Sequence, residues 1–170
     1  MNFTIRKMTV DDISAVLDLD QKSFSLPWPE RSFRFELTDN PAARCWVAEL
    51  DGKVVAMIVV WLIVDEAHVA TLATHPEYRR QGIGRRLLAY ALRQMMQDGA
   101  RSSFLEVRAS NFAAQEMYRK FGYEATGRRR HYYRDNDEDA ILMNLSSLNA
   151  ERLRLEDAPS TLDKDTQNER

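Results

Sequence analysis

Arg79-Arg80-Gln81-Gly82-Ile83-Gly84-Arg85 joins two segments of different periodicity, and the reading of this junction decides the fold. Ahead of it, Ala67 to Thr74 reads as a strand. Behind it, Ile83, Leu87, Leu88, Ala91, Leu92 and Met95 form an apolar stripe at helical spacing, which Asp98-Gly99 stops. A helix N-terminus offers unpaired backbone N–H groups and the positive end of the macrodipole, which suits a phosphate. Glycines let that backbone come close without Cβ interference. Arg79, Arg80, Arg85 and Arg86 add charge-assisted donors. There is no third glycine for a dinucleotide fingerprint and no Gly-Lys-Ser/Thr for a nucleoside-triphosphate loop. Taken alone, such a loop is more often a turn with solvated arginines than a site, so its context must decide.

Outward from the loop, the pattern resolves into short elements. Phe3 to Met8 alternates as a first strand, and Thr9 with Asp12 forms a capping-box-like start to a helix carrying Ile13, Val16 and Leu17. Leu26-Pro27-Trp28-Pro29-Glu30 interrupts that helix, and Pro29 is placed to open a second one through Phe33 and Leu37. Cys45 to Leu50 and Val54 to Val64 read as strands joined at Asp51-Gly52. After the glycine-loop helix, Phe104 to Arg108 is a strand. Ser110 or Asn111 then caps a helix with Ala114, Met117, Tyr118 and Phe121 on one stripe, ended by Gly122. Ala125 to Arg134 and Ala140 to Leu145 would pair as a hairpin. The last twenty or so residues turn polar and read as a frayed helix followed by disorder. The order β-α-α-β-β-β-α-β-α-β-β implies an α/β (α+β) fold with a mixed, largely antiparallel sheet and helices on both faces.

The chain has 170 residues, enough for one sizeable core, with 44% hydrophobic and 29% charged residues. Its formal net charge is −2, carried by the stretch from Asn149 to Arg170 with four basic and six acidic residues. This balance gives no argument for nucleic-acid or membrane binding. Arg128-Arg129-Arg130 is the one dense basic cluster; it reads as a charged strand edge, or as a surface steering an acidic partner. A single cysteine, Cys45, precludes a disulfide framework or a Cys-rich metal site within the chain. The N-terminus lacks a signal-peptide pattern and Val54 to Val64 is too short to span a bilayer, so a cytoplasmic protein with no metal is expected.

Arg79-x-x-Gly82-x-Gly84 between strand and helix resembles the signature of the GCN5-related N-acetyltransferase (GNAT) superfamily. Leu105-Glu106-Val107-Arg108-Ala109-Ser110-Asn111 is far more specific. With Pro27-Trp28, Asp65-Glu66-Ala67, Gly122-Tyr123, Tyr132-Tyr133 and Asp139-Ala140-Ile141-Leu142-Met143, it resembles the RimI-type ribosomal-protein-alanine N-acetyltransferases. The resemblance implies a GNAT-like sheet of six to seven strands flanked by about four helices. It implies a catalytic domain over 1–147 and a polar acidic tail over 148–170. Acetyl-CoA is the implied co-substrate. The backbone of Leu72, Ala73 and Thr74 would hold its acetyl and pantetheine end, where the strands of such folds splay apart. Arg80, Gln81, Gly82, Ile83, Gly84 and Arg85 would hold the pyrophosphate, and Asn111 the pantetheine arm. Glu106 matches the general base and Tyr118 the general acid.

Read from the residues, Glu106 shares a strand face with Phe104 and Arg108, where an exposed or salt-bridged glutamate is the ordinary outcome. Tyr118 lies on an apolar stripe, so a core tyrosine is its ordinary role, although a buried hydroxyl still needs a partner. His68-Val69-Ala70-Thr71-Leu72-Ala73-Thr74 is similar to a strand of archaeal and eukaryotic protein N-terminal acetyltransferases, which makes His68 a second candidate base. Trp28, Glu30, Tyr132 and Tyr133 would flank an acceptor peptide, or Trp28 would staple its loop to the core. The expected acceptor is the N-terminal α-amine of a protein, with a ribosomal protein starting in Ala as one candidate. A small-molecule amine N-acetyltransferase and a non-catalytic CoA-binding protein are the alternatives.

Overall fold

The computed structural model describes residues 2–157. Seven strands, β1 (Thr4–Lys7), β2 (Ala43–Leu50), β3 (Lys53–Ile63), β4 (Glu66–Thr74), β5 (Ser102–Arg108), β6 (Glu124–Arg129) and β7 (Ala140–Leu145), form one sheet in the order β1-β2-β3-β4-β5-β7-β6. Every neighbouring pair is antiparallel except β4 with β5, which run parallel. The helices are α1 (Ile13–Ser23), α2 (Glu30–Thr38), α3 (Ile83–Gln97), α4 (Phe112–Phe121) and α5 (Ala150–Asp157).

Alternation along the strands sends successive side chains to opposite faces, and each face has its own core. Ile13, Val16 and Leu19 of α1 and Phe33 of α2 pack with Val47, Met57, Val59 and Ala73. On the other face Leu87, Leu88, Leu92 and Met95 of α3 pack with Ile58, Val60, Leu105 and Met143. The α3 stripe expected from periodicity is wholly buried. Each large aliphatic in it contributes about 1.5–3 kcal/mol by leaving water. The start of α1 is braced from β1: the Arg6 guanidinium donates to both Asp12 carboxylate oxygens at 2.8 Å, and the Thr9 amide donates to the same carboxylate.

Two expectations need correcting. The chain past Gly122 leaves β6 after Arg129, not Arg134, because His131 takes a left-handed backbone (φ 54) and its amide is captured by Asp139 at 3.0 Å. The helix expected to fray, α5, is docked: Leu153 is buried, and Asp157 accepts from Arg93 at 2.9 Å. Packed structure continues past residue 147 into α5, the fifth α-helix among the described residues, beside the about four expected. The expected disorder of 158–170 lies outside the described residues. Among the described residues, no helix is long and apolar enough to cross a membrane. β6 forms one edge of the sheet and is exposed along its whole length, which accounts for its arginines as a charged edge.

Candidate active site

The parallel pair opens midway. β4 and β5 are in register from Glu66 opposite Ser102 to Val69 opposite Leu105, and no further, although β4 runs on to Thr74 and β5 to Arg108. The cause is local. On its other side β4 pairs Val69 with Val60 and Thr71 with Val59, so Ala70 is an extra residue. A bulge of this kind bends the strand and sharpens its twist, turning the second half of β4 away from β5. Leu72, Ala73 and Thr74 lie in the run with no ladder partner on the β5 side.

The glycine loop abuts that run. Gly82 caps α3 in the left-handed region (φ 79, ψ 4), a conformation glycine adopts at little cost. A Cβ added at Gly84 would stand 3.1 Å from the Thr74 hydroxyl, so this glycine lets α3 approach β4 closely. The first helical bond runs from the Arg86 amide to the Gly82 carbonyl at 3.0 Å. Among the described residues the amides of Ile83 and Gly84 have no hydrogen-bond acceptor, and the Gln81 carboxamide oxygen is buried without a partner. Arg79 braces the junction, donating to the Thr74 carbonyl at 3.1 Å and to Ser23 Oγ at 3.4 Å. The arginines beyond it meet α5: Arg85 donates to the Glu156 carbonyl, and Arg86 to that of Asp157 at 2.8 Å.

Glu106 follows directly on Leu105, the last residue of β5 that pairs with β4, and remains paired with β7 on the other side. Its carboxylate is 3.3 Å from Arg129 Nε on β6 and retains 15% exposure. The Tyr132 phenol is pushed above its ordinary pKa chiefly by its hydrogen-bonding interaction with this carboxylate. His68 lies one strand over, opposite Phe104, with its ring 5.2 Å from Trp61 and 5.0 Å from Phe104. Burial lowers its pKa, more than the opposing charges of Glu106 and Glu66 raise it. His68 is thus a neutral imidazole at neutral pH.

Two buried tyrosines behave differently. Tyr123 donates to Ser103 Oγ at 2.7 Å. Tyr118, with its ring 5.6 Å from that of Tyr123, is also buried, but no described residue hydrogen-bonds its hydroxyl. Burial raises its pKa well above the ordinary phenol range, so it holds its proton. Asn111 is the cap of α4, accepting from the Ala114 amide at 3.1 Å. Trp28 anchors the α1–α2 loop: its ring is 5.2 Å from Phe33, and its amide donates to the buried Asp20 carboxylate at 2.7 Å. Glu30 pairs with Arg34 on the exposed face of α2. The Cys45 thiol is buried in β2 and pushed up to about 12 by that burial, so it is no nucleophile. Sequence reasoning gave no role to Arg108, Ser25 or Asp135, which meet beside Glu106. Only the position of Arg108, two residues past Glu106 on one strand face, could have drawn attention to it.

The sequence matches the Acetyltransferase (GNAT) family over residues 13–123, and the chain belongs to that family. It is 40% identical over 139 residues to a Bacillus subtilis (strain 168) protein assigned as a ribosomal protein bS18-alanine N-acetyltransferase, spanning 82% of this chain and 92% of that one. An N-alpha-acetyltransferase of Sulfurisphaera tokodaii is 33% identical over 154 residues, spanning 83% of this chain and 91% of its own. The crystal structure of the ribosomal-protein-S18-alanine N-acetyltransferase from Escherichia coli matches with a TM-score of 0.79 at 32% identity, over 87% of this chain and 96% of that one. The protein is an N-acetyltransferase, and acetyl-CoA is the acyl donor of its family.

Proposed function

We propose that this enzyme acetylates the N-terminal α-amine of a protein by direct transfer from acetyl-CoA, with a ribosomal protein starting in Ala as the leading acceptor. The observation that carries this reading is the opening between β4 and β5, with Glu106 at its β5 side and the unpartnered Tyr118 hydroxyl supplied by α4. The residues present fit the cofactor: free amides at Ile83 and Gly84, the orphaned Gln81 carboxamide and the unladdered edge of β4 are groups a phosphate and an amide-bearing arm would satisfy. Acetyl-CoA supplies the acetyl group as a thioester.

An α-ammonium has a pKa of about 7.7–8.0 and must lose a proton before it attacks. Glu106 takes that proton, directly or through water, while its exposed side lets the acceptor reach it. Tyr118, still protonated at neutral pH, gives its proton to the departing thiolate sulfur. Leu72, Ala73 and Thr74 orient the acyl group through main-chain atoms, and Arg80 to Arg85 hold the pyrophosphate around the helix terminus. Asn111, through the amide group not used in capping, contacts the pantetheine arm. The high pKa of the Cys45 thiol supports direct transfer over an acetyl-cysteine route. The alignment of the whole domain with bacterial and archaeal relatives named for N-terminal acetylation supports the choice of acceptor.

The test is acetyl-CoA turnover on hexapeptides beginning with Ala, Ser, Met and acidic residues, beside a panel of polyamines and antibiotic amines. Turnover concentrated on the peptides is expected; turnover confined to small amines would replace this reading.

A further inference from the structure

Two loops flank the opening: residues 24–29 between α1 and α2, and residues 130–139 between β6 and β7. They are tied together over the end of β5 by Arg108. One guanidinium nitrogen reaches Asp135 Oδ1 at 3.0 Å, Asn136 Oδ1 at 3.3 Å and Glu138 Oε2 at 3.4 Å. The other reaches Asp135 Oδ2 at 3.1 Å and Ser25 Oγ at 3.2 Å. Ser25 also donates to Asp135, which closes the ring. The guanidinium carbon lies 3.9 Å from the centre of the Tyr133 ring, and the Glu138 carboxylate, drawn down to about 2 mainly by its bond from Ser110, is a fixed anion beside it. Arg108 itself is mostly buried, two residues past Glu106 on the same strand face.

From this geometry we infer that Arg108 is a positioning residue that sets acceptor specificity, by locking the two loops into an arch of fixed width above Glu106. The inference rests on the acceptor being a peptide N-terminus. A bidentate arginine–carboxylate pair fixes distance and plane together, which a flexible ammonium does not. The lock spans segments more than eighty residues apart in sequence, since Ser25 and Arg108 are separated by 83 positions. With the gap fixed, the first side chain of the acceptor must fit beneath the Tyr133 ring, and small first residues are favoured over large ones. Arg108 need not touch substrate to do this.

Ser25→Ala is the sharpest test, because it cuts the link to the α1–α2 loop while leaving Arg108 paired with Asp135. Arg108→Lys tests the bidentate requirement. Hexapeptides beginning with Ala and with Leu are turned over by wild type and both variants, and amide hydrogen exchange is followed in residues 24–29 and 130–139. The expected result is a fall of at least about five-fold in the Ala-over-Leu ratio of kcat/KM, an unchanged KM for acetyl-CoA, and faster exchange in both loops together. A common fall for both peptides with the ratio intact, or loops whose exchange does not change, would overturn the lock. If wild type acetylates neither peptide, the function proposed above fails, and the exchange measurement still decides whether the arch exists.

Discussion

The Glu106 carboxylate of β5 stands 3.3 Å from the Arg129 guanidinium of β6, joining the candidate base to the exposed edge of the sheet. The pair is lopsided, with Glu106 15% and Arg129 54% exposed. An exposed cation is held weakly, since water and salt screen it. It keeps the carboxylate from being a bare buried charge, yet an arriving ammonium can take its place. In the proposed mechanism one cation is exchanged for another, and the proton passes to Glu106 once the amine is seated.

Glu106→Gln is expected to lower kcat by about 10²–10⁴, the range of a general base. His68→Gln should cost far less than that range. The folded pKa of His68 is lowered from 6.5, so its neutral form is favoured by folding. In the folded protein His68 therefore stays neutral below 6.5, and any contribution from the neutral form is lost only as pH falls through the lowered value. Profiles of kcat/KM for both variants, between about pH 5 and 9, assign the base. A loss in His68→Gln as large as that in Glu106→Gln would transfer the role.

Tyr118→Phe separates catalysis from packing. No described residue hydrogen-bonds this hydroxyl, so its removal leaves no protein group unsatisfied. Stability should stay within about 0.5 kcal/mol of wild type, while kcat falls by about 10². Thermal unfolding beside steady-state kinetics checks both. Tyr123→Phe is the control, because its hydroxyl does have a partner, Ser103, and its loss should lower Tm instead.

Gly82→Ala places a side chain at φ 79, which costs about 1–2 kcal/mol of backbone strain. Gly84→Val would press on the Thr74 hydroxyl, which lies only 3.1 Å from where the first side-chain carbon would stand, and push α3 off β4. Both should raise the KM for acetyl-CoA by ten-fold or more, on the order of 1.4 kcal/mol, with a smaller effect on peptide KM. Initial rates with each substrate varied in turn would show this, and an effect confined to the peptide would argue against the cradle.

Asp12 is held below the usual carboxylate range, first of all by its hydrogen bonds from Arg6. Its charged form is favoured by folding, so its contribution is complete above about pH 4 and fades as pH falls through its lowered pKa. Asp12→Asn should therefore cost about 1.5–3 kcal/mol at neutral pH and progressively less below pH 3.8. Urea unfolding at about pH 7 and about pH 3 would reveal the narrowing gap.

The legible features were those written in local pattern. The α3 stripe from Ile83 to Met95, the Asp51-Gly52 hairpin and the Gly122 stop rest on neighbours a few positions apart, and each forms as read. Tyr118 was only half legible: its stripe foretold burial, but whether its hydroxyl would find a partner depended on Ser103, which went to Tyr123 instead. The partners of Arg108 were hidden by distance along the chain, because Ser25 and Asp135 join it only through the fold. The docking of α5 was hidden by composition. Its one buried anchor, Leu153, stands among charged residues whose purpose becomes evident only against Arg85, Arg86 and Arg93 of α3.

The bulge at Ala70 divides the labour of the molecule in a way that bears on how it can change. A groove opened by parting two strands is drawn in main-chain atoms, which every residue carries alike, so the grip on the donor tolerates drift in the side chains that line it. The acceptor side of the proposed site is drawn almost entirely in side chains, around Glu106, Arg129, Tyr132 and Tyr133 and the Ser25–Arg108 lock beside them. Retargeting such an enzyme to a new protein terminus would then be a matter of a few substitutions along one rim, made without disturbing the inherited machinery beneath it.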